Sequence, residues 1–124
     1  MQEDPEYDNV VDDLLQFFAE RVRKLRLLGM NDIIIDPGFG FGKTLEQNYK
    51  LLQQFETFRM FELPLMAGVS RKSMIYRLLD SEPDAALNGT TAAHMALLLK
   101  GARLLRVHDV EAAVETVKIF QQIY

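Results

Sequence analysis

Apolar residues recur near the start of the chain at three- and four-residue steps: Val10, Val11, Leu14, Leu15, Phe18, Val22 and Leu25. That period predicts an amphipathic helix, capped by Asp8 or Asn9 and stopped at Gly29. The pattern then changes. Asp32-Ile33-Ile34-Ile35-Asp36 is a short β-branched run without alternation, which predicts a strand covered on both faces. Thr44-Leu45-Glu46-Gln47 has capping-box spacing and opens a second helix whose apolar residues are Tyr49, Leu51, Leu52, Phe55 and Phe58. Residues 64–69 read as a second buried strand, with Pro64 tolerable as its first residue. A short helical stretch follows around Met74–Leu79. Ser81-Glu82-Pro83-Asp84 is a helix entry with proline just inside the start. Asn88-Gly89 interrupts it, and Thr90 or Thr91 recaps a longer helix that runs through Lys100 and ends at Gly101. Residues 102–107 form a third strand, after which Asp109 caps a last helix with Val110, Ala113, Val114, Val117 and Phe120 inside.

Three strands, each followed by a helix, predict an α/β fold with parallel pairing through right-handed crossovers. In such folds the ligand lies at the carboxyl ends of the strands. There is no internal repeat, low-complexity tract or linker, so a single domain is expected. Composition narrows the function. The chain has 124 residues, 48% of them hydrophobic, which suits one core and not two domains. With no cysteine, disulfides, thiolate metal sites and a cysteine nucleophile are excluded, and a reducing cytoplasm is the expected location. The net charge of −4 speaks against a broad nucleic-acid surface but permits a local anion pocket. No apolar run approaches the ~18 residues of a membrane span, and the first residues lack the regions of a signal peptide.

Each predicted strand ends in a loop rich in chemistry. The first is Asp36-Pro37-Gly38-Phe39-Gly40-Phe41-Gly42-Lys43-Thr44. It is no Walker A loop, because Pro37 stands where the first glycine belongs, and its glycines do not fit the dinucleotide fingerprint. What remains is a carboxylate at a strand end and three positions free to take positive φ. Asp36 suits a turn residue before Pro37 and a ligand carboxylate equally. Phe39 and Phe41 suit walls for a flat ligand, or packing of the loop onto the fold. The second loop, Ser70-Arg71-Lys72-Ser73, puts two cations and two hydroxyls at a helix start. That arrangement fits a carboxylate or phosphate, or else a solvated basic turn. In the third, strand period sets Leu104, Arg106 and His108 on one face. A cation and an imidazole there suit phosphate oxygens. The alternatives are a helix-entry role for His108 and a core carboxylate partner for Arg106. His94, within a helix, reads as structural, and the six methionines read as core filler.

Together, Ile35-Asp36-Pro37-Gly38-Phe39-Gly40-Phe41-Gly42-Lys43, Gly68-Val69-Ser70-Arg71-Lys72-Ser73, Gly89-Thr90 and the stretch from Gly101-Ala102 to Arg106-Val107-His108-Asp109-Val110 resemble the dihydropteroate synthase family of the folate pathway. Even the opening Met1-Gln2-Glu3, with Pro5 and Tyr7-Asp8, is similar to that family's stretch before its fifth barrel helix. The resemblance implies a (β/α)8 TIM barrel that joins 6-hydroxymethyl-7,8-dihydropterin diphosphate to 4-aminobenzoate and releases diphosphate. It implies that Asp36 and Lys72 bind the pterin, that Phe41 and Ser73 hold 4-aminobenzoate, and that Arg106 and His108 bind diphosphate. Lys72, Arg106 and His108 would be the catalytic set. The implied mechanism is dissociative and needs no protein nucleophile.

A full barrel takes ~250 residues and eight strands. Residues 1–124 are therefore expected to be the C-terminal part of a single pterin-binding TIM-barrel domain, carrying its sixth to eighth strands, and to be weakly active or inactive alone. The Mg2+ ligand would lie in the earlier part, so no metal ligand is expected in this chain. A cytoplasmic homodimer is implied, with small-molecule substrates and neither nucleic acid nor membrane as partner. A pterin- or folate-binding methyltransferase barrel, and a non-catalytic half-barrel that self-associates, are the alternative readings.

Overall fold

The computed structural model describes residues 5–124, with side chains from Val10 onward. The likeness read in Met1-Gln2-Glu3 lies outside the described residues. Helix α1 runs Pro5–Leu27, so Asp8 and Asn9 lie within the helix and not at its cap. Proline is well suited to the first helical position, where its missing N–H is not needed. The helix stops as expected. Gly29 takes φ of 87°, and the N–H of Met30 reaches back to the Leu25 carbonyl at 2.9 Å.

The run at 32–36 does not form a full strand. Only Ile35 pairs, bridging Leu65 in parallel, with N–H to the Pro64 carbonyl at 3.0 Å and carbonyl to the Met66 N–H at 2.8 Å. Nor is the run covered on both faces: Ile35 is buried, but Ile34 is 50% exposed. A strand persists only where a neighbour pairs with it, and here the described residues offer a neighbour on one side alone. Strand β1 is Leu65–Ala67 and strand β2 is Ala102–Leu105; both are shorter than their apolar runs. They pair in parallel, Leu65 with Ala102 and Met66 with Leu104, so that Arg103 is skipped at an irregularity. The result is an α/β fold with the strand order Ile35 bridge, β1, β2.

Helix α2, Leu45–Gln53, has both bonds of the expected capping box between Thr44 and Gln47. It ends before Phe55, and residues 55–61 wind more tightly as a 3-10 helix. The apolar stripe survives this change of winding, because Leu51, Phe55 and Phe58 are all fully buried. Phe39 stacks on Phe55 at 6.1 Å, and Phe18 of α1 meets Phe58 edge-on at 5.8 Å. Phe39, Phe55 and Phe58 share one buried core with Leu65 and Ala67 of β1, and Phe18 packs against it.

Helix α3 is one turn, Ser73–Tyr76, and a short 3-10 turn, Pro83–Ala85, leads to helix α4, Leu87–Leu99. Asn88-Gly89 does not interrupt α4, and neither Thr90 nor Thr91 caps it. Gly89 is there for close packing: a Cβ would lie 2.6 Å from Ile75 Cγ2 and 2.8 Å from Leu79 Cδ1. Helix α5 spans Val110–Ile123 with Asp109 at the cap position, yet the Asp109 side chain makes no capping bond. Ala113 is buried as expected, but Val110 and Val114 are exposed along an apolar cleft of about 560 Å³ beside β2. The methionines are mixed as well. Met74 is core, whereas Met30 and Met60 are exposed.

Candidate functional site

The three loops meet at the carboxyl ends of Ile35, β1 and β2. Asp36 makes the turn considered for it and also pairs with Arg106. Its Oδ1 accepts the Gly38 N–H at 3.0 Å, forming the turn, and its Oδ2 accepts Arg106 Nη1 at 3.0 Å. Arg106 extends the sheet pairing, its N–H on the Ala67 carbonyl at 2.9 Å, and Nη1 also lies 3.4 Å from the Met66 sulfur. The guanidinium passes directly over Gly68, where a Cβ would come within 2.5 Å of Nη2. Arg106 thus has a carboxylate partner, but one at the rim of the site; both side chains remain partly open to solvent.

The glycine loop folds over this pair. Gly38, Gly40 and Gly42 all take the positive φ that glycine is free to adopt. Lys43 Nζ donates to the Gly38 carbonyl and Lys72 Nζ to the Phe39 carbonyl, each at 2.6 Å. The two phenylalanines part company. Phe39 is fully buried against Phe55, while Phe41 is 77% exposed with Lys72 Nζ 5.1 Å from its ring centre. Only Phe41 can therefore wall a ligand.

Two buried polar residues that the sequence did not mark as site residues, Asn48 and Thr90, each hold one of the loops. Asn48 Oδ1 accepts the Gly40 N–H at 2.8 Å, while its Nδ2 donates to the Thr44 carbonyl at 3.0 Å. Its signal was an amide side chain three residues before Leu51, on the buried face of α2. Thr90, read as a cap, instead accepts the Arg71 N–H on Oγ1 at 3.0 Å.

The adjacent cations Arg71 and Lys72 also separate. Arg71 forks onto Asp109, Nε to Oδ2 at 2.9 Å and Nη2 to Oδ1 at 3.2 Å. Those hydrogen bonds hold the Asp109 carboxyl below its ordinary pKa and raise that of Arg71. Lys72 faces the site. Burial pushes its pKa down, Arg106 and Lys43 add to the fall, and Asp36 opposes it. Lys43 is likewise lowered by burial, with Asp36 opposing. Three cations around one carboxylate leave a local surplus, 3 − 1 = +2, on a chain whose net charge is −4. That surplus favours an anion.

His108 is exposed just beyond, with its N–H on Ser70 Oγ at 3.2 Å. A cavity of about 140 Å³ lies between the turns, lined by Gly68, Ser70, Lys72, Arg106, Val107 and His108. It is smaller than the apolar cleft beside β2, but it alone of the two gathers these cations. Ser73 begins α3 next to Lys72, half-buried. His94 is buried as expected, its Nε2 without a partner among the described residues, and burial lowers its pKa. Among the described residues no three His, Asp or Glu side chains group as a metal site would require. None of the helices among them is long and apolar enough to cross a membrane.

The sequence profile described as "Pterin binding enzyme" matches residues 1–108. Dihydropteroate synthase of Escherichia coli is 41% identical over 123 residues, covering 98% of this chain and 44% of that protein. The Haemophilus influenzae dihydropteroate synthase is 42% identical over 123 residues, covering 98% of this chain and 45% of its own length. Among solved structures, the Yersinia pestis dihydropteroate synthase in complex with a sulfonamide drug superposes with a TM-score of 0.90 at 38% identity, over 98% of this chain and 45% of that one. The Xanthomonas albilineans dihydropteroate synthase with 4-aminobenzoic acid gives 0.89 at 38% identity, over 94% of this chain and 45% of its own. The chain therefore spans less than half the length of these relatives.

Proposed function

The chain belongs to the pterin-binding enzyme family, and from that premise we propose that it supplies the pterin- and diphosphate-facing part of a dihydropteroate synthase. The observation that carries the proposal is the convergence of Asp36, Lys72 and Arg106 beside the open ring of Phe41. A carboxylate accepts the paired N–H groups of an aminopyrimidine edge, and a neighbouring ammonium donates to its carbonyl and ring nitrogen. Asp36 and Lys72 have those roles. Arg106 and His108 take the diphosphate, and Phe41 and Ser73 take the ring and carboxylate of 4-aminobenzoate.

In the reaction the bond between the pterin methylene carbon and the diphosphate oxygen breaks, and its electron pair leaves with diphosphate. Arg106 and His108 neutralise the charge that develops on that leaving group. The methylene cation is stabilised by the pterin ring, and the lone pair of the aromatic amine closes the new carbon–nitrogen bond. The amine proton then passes to water. No side chain forms a covalent intermediate, so the protein's contribution is orientation and charge. The magnesium implied by the family would need ligands beyond the described residues, which hold no group of three His, Asp or Glu side chains to bind an ion.

The strand segments at Ile35, β1 and β2 would be the sixth to eighth of the barrel, with residues 1–124 as its C-terminal part. The order of the motifs and the 45% coverage of solved relatives support this. We assign the assembled protein to the cytoplasm as a homodimer, as the family resemblance implies; the exposed apolar residues of α5 support the dimer. The test is calorimetric titration of the chain with pyrophosphate, followed by a synthase assay. Binding should weaken at least about tenfold in Arg106→Ala, a loss in the range of a charge-assisted contact. Turnover should be weak alone and rise when the preceding strands of a relative are supplied. A chain that binds neither pyrophosphate nor a pterin refutes the proposal.

A further inference from the structure

The turn between β1 and α3 contains an arginine that takes no part in the site described above. Lys72 faces the glycine loop, while Arg71 turns toward α4 and α5. Its φ of 54° lies in the left-handed region, which a residue with a side chain adopts only when its surroundings enforce it. Three anchors do so. The Arg71 N–H donates to Oγ1 of Thr90, itself 1% exposed within α4. The guanidinium forks onto Asp109 at 2.9 and 3.2 Å, and Nη1 donates to the Pro83 carbonyl at 2.6 Å.

Asp109 directly follows His108, whose N–H donates to Ser70 Oγ, and Ser70 directly precedes Arg71. Two consecutive residues of one turn are thus bonded to two consecutive residues of the other. The cavity lined by Lys72, Arg106 and His108 opens between these same turns. Its walls belong to segments joined, on this side, through Ser70–His108 and Arg71–Asp109.

We infer that Arg71 is a positioning residue: clamped on Asp109, Thr90 and Pro83, it sets the β1–α3 turn against the β2–α5 turn and so fixes the spacing of Lys72 and His108 across the cavity. A lysine would keep the charge but could not fork onto Asp109 while reaching Pro83. The inference deepens the anion-site reading and rests on it for its ligand-binding consequence.

The experiment uses the full chain and two readouts. Amide hydrogen exchange of the ligand-free protein reports the clamp itself. In Arg71→Lys and Asp109→Asn, exchange at the His108 and residue-71 amides should accelerate about tenfold or more, as expected when a local structural unit opens more easily. Amides of α1 and the urea midpoint should stay unchanged, because a partly exposed ion pair adds little to global stability. Pyrophosphate titration reports the consequence. Affinity should fall on the order of tenfold in Arg71→Lys, with no further fall in the Arg71→Lys/Asp109→Asn double variant. If Arg71→Lys lowers global stability, Arg71→Gly replaces it, since glycine keeps φ near 54° without the fork. Unchanged exchange at His108 overturns the inference, and so does faster exchange with unaltered pyrophosphate affinity. Failure of the unaltered chain to bind pyrophosphate would refute the anion-site reading instead, and the exchange data would then decide the clamp alone.

Discussion

Replacing each phenylalanine of the glycine loop with alanine tests the division of labour between them. Phe39 is fully buried and stacked on Phe55, whereas Phe41 is 77% exposed. Truncating a phenylalanine to alanine removes roughly 100–150 Å² of buried apolar area at ~25 cal/mol per Å², or about 2.5–4 kcal/mol. Loss of the ring pair and the cavity left behind bring Phe39→Ala to the upper part of the usual ~3–5 kcal/mol range. For Phe41 only about a quarter of the side chain is covered, so the same arithmetic leaves less than ~1 kcal/mol. Its contact with Lys72 at 5.1 Å adds about 0.5–1 kcal/mol at an exposed site. The assay is urea unfolding of both variants and the parent chain. With a slope of ~2 kcal/mol per M, Phe39→Ala should lower the midpoint by about 2 M and Phe41→Ala by no more than about 1 M. Phe39→Leu serves if the alanine variant fails to fold. Equal midpoints for the two alanine variants would refute the assignment of one ring to the core and the other to the surface.

Three further outcomes follow from particular contacts. In Gly68→Ala the new Cβ would come within 2.5 Å of Arg106 Nη2 and displace the guanidinium from Asp36; pyrophosphate affinity should fall while the urea midpoint moves by less than ~1 kcal/mol equivalent, since the pair is exposed, and unaltered affinity on titration would contradict this. Thr44→Ala removes the hydroxyl that accepts the Gln47 N–H at 3.0 Å; a loss of about 1 kcal/mol, or roughly 3 °C in a circular-dichroism melt, is expected. His94 is buried with its pKa lowered from 6.5. Its unfolded form binds more protons than the native one between these two values, so the stability present above pH 6.5 is lost as pH falls through the native value. Urea midpoints measured at pH 8 and pH 5 should differ less in His94→Leu than in the parent chain.

Much of the architecture was legible in the sequence because its signals are local. Periodicity marked α1 and α5, the Thr44–Gln47 spacing marked the start of α2, and Gly29 marked the end of α1. These depend on neighbours within a few residues, which the sequence contains. The loaded loops could also be found, because parallel α/β connectivity puts strand ends on one side. Which side chain of each adjacent pair would do what could not be read. Phe39 and Phe41 are chemically identical, and only the position of Phe55 decides that Phe39 is core. Arg71 and Lys72 are both cations, and only the approach of Asp109 and Pro83 draws Arg71 away from the site. Thr90 has the chemistry of a cap but sits inside α4, where the left-handed turn at Arg71 brings a backbone donor to it. The isoleucine run at 33–35 has strong β propensity, yet pairing requires a second backbone, and β1 meets it at Ile35 alone. The sequence by itself determined the period, the caps and the placement of charge near strand ends. Tertiary structure decided the partners, because burial and ion pairing depend on residues tens of positions away, whose approach no local pattern records.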